Sequence, residues 1–165
     1  MTLQEAAQQA DELAAAGDER ALATLRQEWD GELEHAVRSP DYRIRAQAYR
    51  AIAQFRFRQK LELVRRGLQD ESPAARGSAL IALESLSRTH PGDMNSMRAL
   101  LHELATNDPN VAVRRLAIVC LKNGSAQRET ILVLNGLADD DEQDGELRKT
   151  AKAVATALQK RANVK

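Results

Sequence analysis

An all-α solenoid of about four two-helix repeats is the fold class this sequence predicts. Three observations carry the prediction. Ala, Leu, Arg, Glu and Gln dominate and aromatics are only 3% of the chain, so most side chains favour helix and few favour strand. A pattern of apolar residue, Arg, Ala, small residue and Leu or Ile recurs at Ile44, Arg45, Ala48, Ala51, Ile52, at Ala75, Arg76, Ala79, Ala82, Leu83, and at Val113, Arg114, Ala117, Cys120, Leu121. Its arginines are 31 and then 38 residues apart, the length of one helical hairpin. Ser39-Pro40, Ser72-Pro73 and Asp108-Pro109 stand just ahead of the three copies, offering a capping oxygen and a proline for the first helical turn.

In chain order, residues 3–16 form an alanine-rich helix that caps the N-terminal end, within a segment taken as 1–19. Leu22, Leu25, Trp29 and Leu33 then mark an amphipathic helix that pairs with the first copy, giving a repeat over 20–57. The partner helix of the second copy spans 58–69 with Leu61, Val64 and Leu68 inward, giving 58–90. That of the third spans 93–106 with Met97, Leu100, Leu101 and Leu104, giving 91–124 after the breaker His90-Pro91-Gly92-Asp93. Residues 126–138, with Ile131 and Leu134, precede a fourth copy, Leu147, Arg148, Ala151, Val154, Ala155, and close a repeat over 125–163. Its last small and large positions are inverted, as a terminal repeat allows. About nine helices follow, in one domain over residues 1–165.

The Asp-Pro turn, the apolar-Arg pair and the Ala-x-x-small-Leu run, present together in Asp108, Pro109, Val113, Arg114, Ala117, Cys120 and Leu121, resemble the HEAT repeat family. The resemblance is to its short bacterial form, the phycobilisome-lyase HEAT-like type, over about residues 20–163. It implies a right-handed α-α superhelix whose second helices line the concave face. It also implies a structural ladder in which turn aspartates hold second-helix arginines, here Asp70, Asp108 and Asp141 with Arg45, Arg76, Arg114 and Arg148. The first copy has Ser39 in the place of the aspartate, so Asp41, one turn before Arg45, is expected as its local partner.

The absence of compact chemical motifs points away from an enzyme. His35, His90 and His102 lack metal-ligand spacing, the eight glycines are scattered singly, and the acidic run at 139–146 lacks the pattern of a calcium loop. No metal, nucleotide or other cofactor is expected. Cys120 occupies a core slot, where burial raises a thiol pKa, and one cysteine suits a reducing compartment. With no basic-apolar leader and no run approaching roughly 20 apolar residues, a soluble cytoplasmic protein without a membrane partner is expected.

Charge and aromatics mark the functional candidates. The 24 basic and 24 acidic residues cancel overall, but residues 1–34 carry nine acids against Arg20 and Arg26, and residues 42–68 carry eight bases against Glu62. All five aromatics, Trp29, Tyr42, Tyr49, Phe55 and Phe57, lie between residues 29 and 57. At about 100° per residue, Ile44, Ala48, Ala51, Ile52 and Phe55 form the packed face of the first copy, and Tyr42, Arg45, Tyr49, Ala53 and Arg56 a stripe opposite, flanked by Arg43, Arg50 and Phe57. Tyr and Arg are hot-spot residue types, so Tyr42, Arg43, Tyr49, Arg50 and Arg56 are the expected partner-binding set, unless Trp29 or the acidic N-terminal helices cover it. The reading is a non-enzymatic protein-protein scaffold gripping an acidic or amphipathic segment. The alternative is nucleic-acid binding through residues 42–66, and the opposed charge zones also permit weak, salt-sensitive self-association.

Overall fold

Helix starts explain the architecture of this chain. The structure, a computed structural model, describes residues 1–163 as ten α-helices and one 3₁₀ turn. They fall into two compact units, Met1–Leu86 and the residues from Ser87 onward.

In the first unit, α1 (Leu3–Ala15) opens on a capping box, Thr2 and Glu5 each bonding the other's backbone N–H. Gly17, at φ +75°, turns the chain into α2 (Glu19–Ala36), where Asp18 accepts from the Ala21 N–H. α1 packs on both α2 and α3 (Tyr42–Gln54), and α2 packs on α3. The expected partner helix over 58–69 is divided into a 3₁₀ turn (Arg58–Lys60) and α4 (Leu61–Gly67), and α5 spans Pro73–Ser87. Leu22, Leu33, Ile52, Phe55, Val64, Leu68, Leu80 and Leu83 are fully buried. Ile44, expected in the packed face, is instead 42% exposed, because it lies in the first turn of α3, ahead of the buried run that begins at Arg45 and Ala48.

In the second unit, the expected helix over 93–106 is likewise two pieces, α6 (Pro91–Asn95) and α7 (Arg98–Asn107). α8 (Val111–Leu121), α9 (Arg128–Asp139) and α10 (Gly145–Asn163) follow. α7 packs on α8 and α9 on α10, while α7 also meets α9 and α8 meets α10. These are two hairpins stacked like on like, consistent with an α-solenoid. Met94, Met97, Leu101, Ile118, Leu121, Leu134, Leu147 and Leu158 fill the core.

The helix starts differ from the expected ones in two of three places. Ser72 does accept from the Ala75 N–H, with Pro73 first in α5. For α3 and α8 the cap sits two residues later, on Asp41 and Asn110, which accept from Arg43 and Val113 N–H groups. There Ser39 and Asp108 instead bond the N–H of the cap residue itself, so serine or aspartate forms the turn and the next polar residue forms the cap. Among the described residues no helix is long and apolar enough to cross a membrane.

Candidate interaction surface

The centre of the first unit is a carboxylate, Asp70, in the α4–α5 turn. Arg45 donates to it in fork fashion, Nε to Oδ2 and Nη2 to Oδ1, both at 2.9 Å. The Tyr49 hydroxyl donates at 3.2 Å and the Ser72 N–H at 2.9 Å. Nη1 of Arg45 reaches back to the Ser39 and Pro40 carbonyls, and Arg76 reaches back to those of Asp70 and Glu71 in the same way. Burial pushes the Asp70 carboxyl up, but Arg45 and the other donors outweigh it and hold the group below the ordinary carboxylate range. Tyr49 moves the other way, to about 12, because burial and the adjacent Asp70 charge both disfavour phenolate.

Asp41, expected to hold Arg45, serves Arg43 instead. In the second unit Arg114 donates Nε to the Ala105 carbonyl and Arg148 donates Nε to that of Ala138. Asp141 pairs with Arg148 at 3.2 Å, yet the turn bond that Asp70 and Asp108 make is made there by the preceding residue, Asp140, to Glu142 N–H.

Of the five expected partner-binding residues, the structure brings three to the surface of α3. Tyr42 is 47% exposed, and Arg43 and Arg50 are exposed, with Nε of Arg50 on the Ser78 hydroxyl at 3.1 Å. Tyr49 is 4% exposed, its ring in the packed interior and its hydroxyl on Asp70, so it is not part of a surface. Arg56 ends α3 at φ +53°, a left-handed conformation unusual for a residue with a Cβ. Its guanidinium bonds the Ala53 and Gln54 carbonyls and forms an ion pair with Asp11 of α1 at 2.8 Å.

The rest of the basic block is mostly answered within the fold. Lys60, buried, donates to Asp30 and Glu34 on α2 at 2.7 Å each and lies 4.8 Å from the Phe57 ring centroid. Burial works against its charge, and those two carboxylates more than restore it. Arg65 pairs with Glu62. These links between acidic α1 and α2 and the basic segment were legible as opposed charge zones, though not as pairs. Among the described residues, no group of three or more His, Cys, Asp or Glu side chains is placed to hold a metal ion.

A buried cluster that the sequence did not disclose lies in the second unit. Arg98, 8% exposed, is held by neutral groups only: Thr130 Oγ1 at 2.7 Å, Ser125 at its hydroxyl and carbonyl, and the Asn95 side-chain carbonyl. His102 Nε2 meets the same Thr130 oxygen at 2.9 Å. Thr130 Oγ1 thus serves both side chains, accepting from Arg98 and sharing one hydrogen bond with the imidazole, whose direction follows the histidine tautomer. Burial lowers the His102 pKa and Arg98 lowers it further, against the pull of Glu129. A depressed histidine binds fewer protons folded than unfolded, so stability is lost as pH falls below the unfolded value of about 6.5. Melting temperatures across pH 5–8 are expected to fall on acidification, and His102→Gln to flatten that slope. An unchanged slope in the variant would assign it to other groups.

Residues 30–103, a little under half of the chain, match the family model described as HEAT repeats. The matched segment contains Arg45, which bonds the Asp70 carboxylate, and Arg76, which bonds the Asp70 carbonyl. No curated protein matches the chain.

Proposed function

We propose that this protein is a non-enzymatic scaffold that binds an acidic or amphipathic segment of a partner protein along α3, through Tyr42, Arg43 and Arg50. The observation that carries this reading is their exposure within about 100° of arc on one helix, where Arg43 is paired only with the neighbouring Asp41 at the surface and Arg50 bonds the Ser78 hydroxyl, whereas Arg45, Arg56 and Lys60 are tied to other elements of the fold. HEAT repeats commonly mediate protein-protein interaction, which supports the class of function. In this reading the hairpins form four repeats of the short HEAT-like type in a right-handed superhelix, in a cytoplasmic protein.

Nucleic-acid binding remains the second reading, because Arg43, Arg50 and Arg66 are exposed cations in the same block. The pairing of Arg43, Arg45, Arg56, Lys60 and Arg65 with carboxylates weighs against it, since each phosphate contact needs an unpaired cation. Capture from lysate, with and without nuclease, compares the wild-type chain with a Tyr42→Ala, Arg43→Ala, Arg50→Ala variant. All three side chains are exposed, so the variant keeps its fold. A discrete protein that survives nuclease and drops about tenfold or more with the variant is expected. Undiminished capture would remove the site, and recovery lost to nuclease would favour nucleic acid. Light scattering at low and high salt tests the self-association that the charge zones permit.

A further inference from the structure

The second unit carries a groove of about 330 Å³ lined by Ala112, Arg115, Leu116 and Val119 of α8 and by Thr150 of α10. At that volume it lies at the small end of the range for ligand pockets, about 300–1,000 Å³, and seats one or two side chains rather than a cofactor. Its floor is aliphatic. Its charge is one-sided: α8 contains Arg114 and Arg115 and no acid. Arg114 turns its Nε inward to the Ala105 carbonyl, whereas Arg115 is exposed at the groove. Lys122, exposed, follows two turns later on the same side. On α10 the acid one turn before Thr150, Glu146, is bridged by Lys149 at 3.4 Å.

We propose that this groove is a docking site for a short partner segment that places an aliphatic side chain on Leu116 and Val119 and, three or four residues away, a carboxylate on Arg115. Three or four residues is one helical turn, so an acidic amphipathic helix presents both groups from one face. The groove contains no aromatic on which a base could stack, which favours a peptide over a nucleic acid. The contact is small, so the interaction is weak and transient. It does not depend on α3.

The test is selection of a random peptide library displayed on phage against the full chain, followed by titration of the enriched peptides. Enriched sequences are expected to pair Leu, Ile or Val with Asp or Glu at a spacing of three or four. Arg115→Glu is expected to weaken them by about tenfold or more and to turn selection towards Lys and Arg. Val119→Asp, checked for helicity, is expected to abolish binding. The absence of enrichment, or enrichment indifferent to both substitutions, overturns the proposal. Dependence on Arg43 and Arg50 with indifference to Arg115 overturns it while sparing the α3 surface. Dimerisation, or oligonucleotide binding, that Arg115→Glu removes would overturn it in favour of a second copy or of nucleic acid.

Discussion

Asp70→Asn is expected to cost the first unit about 3–5 kcal/mol, the range for removing one partner of a buried ion pair. The carboxylate side chain is 5% exposed and that of Arg45 11%, so solvent cannot replace what is lost. Asparagine keeps the shape but offers one acceptor oxygen where four donor groups converge, and turns an N–H₂ towards a guanidinium. A small domain is stable by about 5–15 kcal/mol in total, so the loss is a large fraction of the whole. The urea midpoint should drop with little change in slope. A shift worth less than about 1 kcal/mol would mean that the pair holds register without contributing stability.

The same cluster can be removed without that penalty if its charge is removed together with its partner. Arg45→Met, Tyr49→Phe and Asp70→Leu combined leave no buried charge and no orphaned hydroxyl, and should recover the part of the loss that exceeds the unpaired Ser72 N–H and the Ser39 and Pro40 carbonyls. The pH signs follow from the shifts. The depressed Asp70 carboxyl stabilises the fold above its unfolded value of about 4, and that contribution is lost as pH falls through the folded one. The raised Tyr49 phenol acts oppositely, its contribution present below about 10 and lost as pH rises to about 12.

Periodicity made the second helices legible, since Arg45, Arg76, Arg114 and Arg148 all stand in them. It could not show how each was held. The Asp70 partner of Arg45 lies 25 residues away, outside any helical spacing, whereas Asp41 was near in sequence and was taken by Arg43. Tyr49 was misplaced for a related reason. Helical arithmetic divides a helix into an inner and an outer face, but α3 meets α1, α2 and α4, so little of it is left outside. The breaks at Lys60 and at Ser96–Met97 were hidden because the apolar stripe continues through them, although a 3₁₀ turn or short helix changes the hydrogen bonding beneath it. Arg98 was unreadable because its partners are hydroxyls and carbonyls, and nothing in a sequence marks these as ligands of a cation.

Gly67→Ala is expected to destabilise the same unit by about 1–3 kcal/mol, although alanine is the better helix former by about 1 kcal/mol. A Cβ on Gly67 would stand 2.8 Å from the Ala79 Cβ and 3.0 Å from Cδ1 and Cε1 of Tyr49. The first of these is fixed to the backbone of α5, and the ring is held by its bond to Asp70, so neither neighbour can swing aside. Gly31 in α2 supplies the contrast, because a Cβ there meets nothing within 4 Å and Gly31→Ala should gain up to about 1 kcal/mol. Opposite signs from one chemical change would locate the cost in packing rather than in helix propensity. Ala79→Gly should then relieve part of the Gly67→Ala loss, with a coupling of about 0.5–3 kcal/mol in a double-mutant cycle. Strict additivity would mean that α4 and α5 separate freely at this point, and that glycine is not what lets them approach.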